Sequence, residues 1–184
     1  MLRNRYQFVG RKQMSIRNQM GAALVFAAGT FCAAQIASAD HHVKSGTYEF
    51  VISGVTDLTT VEHLEGSVTG GSVQGTSTII ISSGGPYVVG ENFVLSGIIY
   101  AKKSAAGMEL ESPGTLTDSS GDMSFNMARR KAGAQAVGGG GAGSMELVGG
   151  TGKYQGVTGA CEYKVEYLAD NRIAGRGACQ WQRD

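Results

Sequence analysis

The chain has 184 residues, with 16 Lys and Arg against 15 Asp and Glu and a formal charge of +1. The two signs are segregated: Arg3, Arg5, Arg11, Lys12 and Arg17 fall in residues 1–39, which hold no acid, so the rest of the chain carries 11 bases against 15 acids, a charge near −4. That sign excludes the basic stripe needed to neutralise nucleic-acid phosphates or an anionic membrane, and 29 glycines beside only Pro86 and Pro113 disfavour long helices and exclude collagen.

In chain order, the basic segment leads into an Ala- and Gly-rich apolar run over 21–34, then to small residues at Ala37 and Ala39. This is the pattern of a secretory signal cleaved after Ala39. A membrane helix would need about 20 strongly apolar residues, whereas this run is weakly apolar and ends at Gln35; Phe31 before Cys32 argues against lipidation there. The expected product is secreted or periplasmic, without a stable membrane anchor: signal peptide 1–39, flexible mature terminus 40–45, one domain over 46–184. Cleavage exposes Asp40-His41-His42. A histidine third from a free amine can close a square-planar Cu(II) or Ni(II) site through the Asp40 amine and His42; the plainer reading is a solvated terminus.

Beyond residue 45 no segment sustains helical spacing, whereas period-two alternation recurs. Tyr48, Phe50 and Ile52 form one row, Phe93, Leu95, Gly97 and Ile99 another, and Met123, Phe125 and Met127 a third. Further strands are expected over 60–69, 75–82, 108–111, 144–148, 160–168 and 172–182. Turn clusters fall at 83–86, 112–114 and 118–121. Eight to ten short strands are economically closed as an all-β fold, a single antiparallel barrel of about eight strands, because an open sheet would leave its edges unpaired.

The last hairpin can be derived in register. With Ala169-Asp170-Asn171 as a three-residue turn, Leu168 faces Arg172, and counting outward brings Cys161 opposite Cys179, within disulfide reach. An even cysteine pair in an oxidising compartment makes that bond the expectation. The same register lines up Cys161, Tyr163, Val165 and Tyr167 against Cys179, Gly177, Gly175 and Ile173, with Trp181 extending the row. Tyr163 is then expected over Gly177 and Val165 over Gly175, and Glu162, Lys164, Glu166, Arg172 and Arg176 face solvent. The glycine run 138–143 reads as a flexible loop; its match to a nucleotide-binding G-x-G-x-x-G lacks the surrounding βαβ unit.

Residues 149–159, Gly-Gly-Thr-Gly-Lys-Tyr-Gln-Gly-Val-Thr-Gly, read as a glycine-rich crossing between strands with Tyr154 as an apolar plug. This segment, entering a late strand, resembles the corresponding turn of the dirigent and allene oxide cyclase barrel families. The resemblance implies an eight-stranded antiparallel barrel with an apolar cavity, possible self-association, and steering of the coupling or cyclisation of a small hydrophobic substrate. The families' catalytic acidic, asparagine and arginine positions have no matching motif here, so the resemblance carries fold and cavity but no catalytic residue.

The residues themselves allow a cavity lined by Phe50, Phe93, Met123, Phe125, Met127, Tyr163, Tyr167 and Trp181, since methionine and aromatics suit an adaptable apolar pocket. The same side chains can equally fill a small barrel. Catalytic chemistry has little footing: beyond the mature terminus the one histidine is His63, G-x-S-x-G is absent, and Glu62, Glu65, Glu109 and Glu111 alternate as an outer strand face would. Arg129-Arg130-Lys131 either binds an anion or forms the solvated end of a strand. The function expected is binding of a small hydrophobic molecule without a cofactor. A barrel isomerase or cyclase and a structural protein with a filled core are the alternatives.

Overall fold

The computed structural model describes residues 43–184; the expected signal segment and the Asp40 and His42 metal site lie outside them. The described chain forms eight strands: β1 (Ser45–His63), β2 (Gly66–Ser82), β3 (Asn92–Ser104), β4 (Gly107–Thr117), β5 (Met123–Arg130), β6 (Gly140–Gly150), β7 (Val157–Tyr167) and β8 (Arg172–Arg183), with one 3-10 turn over Gly152–Tyr154. Each strand pairs antiparallel with its sequence neighbours and β8 pairs with β1, so the sheet closes into the expected barrel and leaves no edge.

The last hairpin has the derived register. Leu168 N–H donates to the Arg172 carbonyl at 2.7 Å, Asp170 and Asn171 take the left-handed conformation that the turn requires, and Tyr167 pairs with Ile173. Cys161 pairs with Cys179 at a Cα separation of 4.0 Å, and the two are disulfide-bonded. One detail differs. Although Tyr163 is paired with Gly177, the ring that occupies the space above Gly177 is Phe50 of β1, whose Cζ would lie 2.5 Å from an added Cβ; Ile52 likewise covers Gly175, and Tyr163 instead covers Gly143 of β6. Each residue of a closed sheet has a paired neighbour on both sides. Here Phe50 pairs with Gly177 and Ile52 with Gly175 across β1–β8, and Tyr163 with Gly143 across β6–β7, so these side chains all lean the same way round the barrel.

Three other expectations are corrected. Residues 60–69 are not one strand but the β1–β2 hairpin, in which His63 pairs with Gly66 around the two-residue turn Leu64-Glu65. Residues 112–114 are not a turn but the middle of β4. Pro113 has no N–H to donate, and the β3–β4 pairing skips from Gly97–Gly114 to Tyr100–Glu111, while the β5 side runs through Pro113–Met127. The glycine run is mostly strand, since Gly140–Gly143 pair with β7; at Gly143 any Cβ would approach the Tyr163 ring to 2.7 Å.

The interior is built in two layers. At one end Tyr48, Phe93, Tyr154 and Trp181 surround Tyr87, which the β2–β3 connection folds inward over the barrel. Tyr87 is fully buried, stacks on Tyr48 at 4.0 Å and hydrogen-bonds Ser124 Oγ at 3.0 Å, so this end is plugged by aromatic rings. Burial in such surroundings pushes the Tyr48 and Tyr87 hydroxyls above the ordinary tyrosine range. Trp181 packs so closely on Gly85 that a side chain there would enter its indole, and Gly85 also has φ +84, a conformation open to glycine. The other layer contains Val73, Ile99, Ala101, Leu110, Val165, Tyr167 and Ile173.

A buried ionic clasp ties the plugged end together. Asp118, in the β4–β5 turn, accepts from Ser120 N–H at 2.8 Å, Ser120 Oγ at 2.7 Å and Asp122 N–H at 3.0 Å, and pairs with Lys153 of the 3-10 turn at 2.9 Å. Lys153 also pairs with Glu91, before β3, and Tyr154 donates its hydroxyl to Asp118 at 3.3 Å. Burial alone would raise the Asp118 carboxyl; the hydrogen bonds from Ser120 and Lys153 outweigh it and hold the group well below the usual carboxylate range. Tyr154 is the expected plug, with no exposed surface, and the 149–159 crossing adds to that expectation one short turn of 3-10 helix.

Candidate functional site

Between the two layers lies a cavity of about 100 Å³. Its wall is mostly apolar: Phe50 and Ile52 from β1, Val73 from β2, Leu95 and Ile99 from β3, Leu110 and Leu116 from β4, Met145 from β6, Tyr163, Val165 and Tyr167 from β7 and Ile173 from β8. These are the inward members of the alternating rows, so the strand period that builds the barrel also lines the cavity.

Of the residues expected to line a pocket, Phe50, Tyr163 and Tyr167 are brought to this cavity. Phe93 and Trp181 are buried in the aromatic plug beside it. Met123, Phe125 and Met127 are not brought there: their row points out of the barrel, where Phe125 and Met127 line a shallow surface groove with Ile98, Glu146 and Val148. The period-two alternation expected for β5 is present, with the opposite phase. Directly paired residues share a face of the sheet. Leu116, buried in the core, pairs with Ser124, and buried Leu147 pairs with Asn126, so the even-numbered residues of β5 must point inward. A bulge between Phe125 and Asn126, opposite Gly149 and Leu147, is accommodated in that arrangement.

The inward row of β5 is therefore Ser124, Asn126, Ala128 and Arg130, a polar stripe inside an otherwise apolar barrel. Arg130 is 2% exposed. Its Nη2 lies 3.4 Å from the Tyr167 hydroxyl and its guanidinium carbon 5.5 Å from the Tyr167 ring centroid, while Nε and Nη1 have no partner. Asn126 Nδ2 and Ser77 Oγ, both buried and both on the cavity wall, are likewise unpartnered. Burial pushes the Tyr163 hydroxyl up, against the opposing influence of Arg130. Hydrophobicity by itself does not mark these residues as interior: Asn126 alternates with Phe125 and Met127, Ser77 lies in a Ser- and Thr-rich stretch, and Arg130 stands between Arg129 and Lys131. The available signal was the polar row Ser124-x-Asn126-x-Ala128-x-Arg130 itself.

The remaining charged candidates fall on the outside. Arg129 bridges Glu111 at 3.4 Å and Glu146 at 3.1 Å on the exposed face. His63 is exposed beside the β1–β2 turn, where its Nδ1 accepts from Glu65 N–H at 3.3 Å. Glu62 and Glu109 are exposed on strands β1 and β4. Among the described residues no cluster of three or more His, Cys, Asp or Glu side chains could hold a metal.

In sequence the chain matches no family model and no curated protein. In structure it is similar to a pterocarpan synthase dirigent protein, with 19% identity, 77% of this chain and 89% of that chain covered, and a TM-score of 0.47. The described residues by themselves form a closed meander of eight antiparallel strands around an interior cavity.

Proposed function

We propose that the protein is exported and binds a small, largely apolar molecule inside the barrel. The observation that carries this reading is the cavity between the aromatic plug and the Arg130–Tyr167 layer, walled by apolar side chains from all eight strands. A few polar groups in a mostly apolar wall are the usual make-up of a small-molecule site. At about 100 Å³ the cavity is smaller than the apolar cavity of about 150 Å³ that accommodates a benzene ring, so its size favours a ligand of a few heavy atoms over a drug-sized one of about 300–1,000 Å³. Size and wall chemistry favour binding over the steering of a large reactive substrate: the wall contains no carboxylate and no imidazole to act as a general acid or base. Export is supported by the signal-like sequence over 1–39 and by the Cys161–Cys179 bond.

1-Butanol, a short apolar chain with a neutral polar tip, is a suitable probe. It is expected to shift the backbone amide resonances of β4, β5 and β7 in a saturable titration. Ala128→Leu, which extends a wall residue into the cavity, is expected to abolish the shifts while the disulfide still forms. No saturable binding to the parent protein, or binding unchanged by Ala128→Leu, would refute the proposal.

A further inference from the structure

We infer that the molecule bound in the cavity is an apolar carboxylic acid in its anionic form, with Arg130 receiving the carboxylate. The inference rests on the cavity-binding reading and adds the chemistry of the ligand's head. Arginine remains charged under all ordinary conditions and offers five N–H donors in a fork that matches a carboxylate. At 2% exposure such a group is normally paired with an acid, because a desolvated charge without a partner is costly. Here no Asp or Glu lines the cavity. The acids nearest in sequence and pairing point outward: Glu111 and Glu146 are exposed and engaged by Arg129. The Tyr167 ring and hydroxyl compensate one side of the guanidinium and leave Nε and Nη1 without an acceptor.

Two other donors face the same cavity, Asn126 from β5 and Ser77 from β2 across the barrel. Asn126 Nδ2 and Ser77 Oγ are buried without a partner. Buried polar groups in folded proteins are overwhelmingly hydrogen-bonded, so the unpartnered donors of Arg130, Asn126 and Ser77 that face this cavity point to a ligand that supplies acceptors. Asn126 and Arg130 are four residues apart on one face of β5, about 13 Å along the strand at about 3.3 Å per residue. The guanidinium therefore marks one end of the cavity as the site for the charge, and the aliphatic and aromatic wall between takes the apolar body.

The test compares butyrate, 1-butanol and formate by isothermal titration on the intact, disulfide-bonded protein near neutral pH. Butyrate is expected to bind at least about ten-fold more tightly than 1-butanol, equivalent to about 1.4 kcal/mol, and more tightly than formate, which has the head without the chain. In Arg130→Met the preference for butyrate over 1-butanol should vanish while 1-butanol still binds; Arg130→Lys should restore part of it. Equal binding of butyrate and 1-butanol to the parent protein would overturn the carboxylate inference and leave the cavity-binding proposal standing. Formate binding as tightly as butyrate would overturn it in favour of a plain anion site. Binding of none of the three would overturn both readings. These comparisons are decided on the parent protein even where the Arg130→Met chain does not fold.

Discussion

Replacing Asp118 by asparagine removes the charge from the ionic clasp while keeping an oxygen for Ser120 and Asp122. The Asp118 side chain is 1% exposed and Lys153 is 35% exposed, so the lost attraction is only partly screened by solvent. Breaking a fully buried pair from one side costs about 3–5 kcal/mol. Lys153 keeps Glu91 as a partner and touches water, which brings the expected cost of Asp118→Asn down to about 1–2 kcal/mol, within the range for a charge-assisted hydrogen bond. For a domain of this size that corresponds to a Tm lower by about 3–8 °C at pH 7. The pH dependence carries a definite sign. Because the folded state holds the carboxyl below its ordinary range, the unfolded chain binds the proton first. The stabilisation is complete above about pH 4, where an unfolded aspartate is ionised, and is lost progressively as pH falls toward the depressed folded value. Differential scanning calorimetry of both proteins from pH 7 to pH 2 measures this directly. The parent protein should lose its advantage over Asp118→Asn below about pH 4. No difference at pH 7, or an advantage constant down to pH 2, would refute the assignment of Asp118 as an ionised structural anchor.

Gly177→Ala would set a methyl 2.5 Å from Phe50 Cζ and 2.7 Å from the Glu162 carbonyl oxygen, at an overpacking cost of about 1–3 kcal/mol; a double-mutant cycle with Phe50→Leu in urea unfolding should show coupling between the two sites. Tyr87→Phe leaves buried Ser124 Oγ without its 3.0 Å partner and should cost about 1–2 kcal/mol, part of which Ser124→Ala recovers when the two are combined. Joint replacement of Cys161 and Cys179 by serine should lower stability by about 3 kcal/mol in the chain-entropy account of a loop of this length, read from chemical denaturation without reductant. Intact-mass analysis of exported protein is expected to place the first residue at Asp40; a different start would refute the cleavage assignment.

Local chain chemistry was enough to define much of this protein. Period-two rows such as Phe93, Leu95, Gly97 and Ile99 reveal strands because side chains alternate faces along any extended backbone, and many short strands without helices favour closure. The turn at Ala169-Asp170-Asn171 and the Cys161–Cys179 pairing were legible together, since in a hairpin the turn length sets the register of every residue beyond it. What a row of alternating residues does not contain is its own phase. On β5 hydrophobicity alone would put Met123, Phe125 and Met127 inside, and the neighbouring strands reverse that choice, through Leu116 opposite Ser124 and Leu147 opposite Asn126. That choice turns Met123, Phe125 and Met127 outward and buries Arg130, so the cavity's unpartnered donors exist only once the barrel has closed. The same is true of the rings over the glycines. Gly177 is paired with both Tyr163 and Phe50, and which ring leans over it is settled only in the closed sheet. Sequence periodicity determined which residues alternate; the closed tertiary structure decided which side of each strand is inside, because burial depends on contacts across strands distant in the chain.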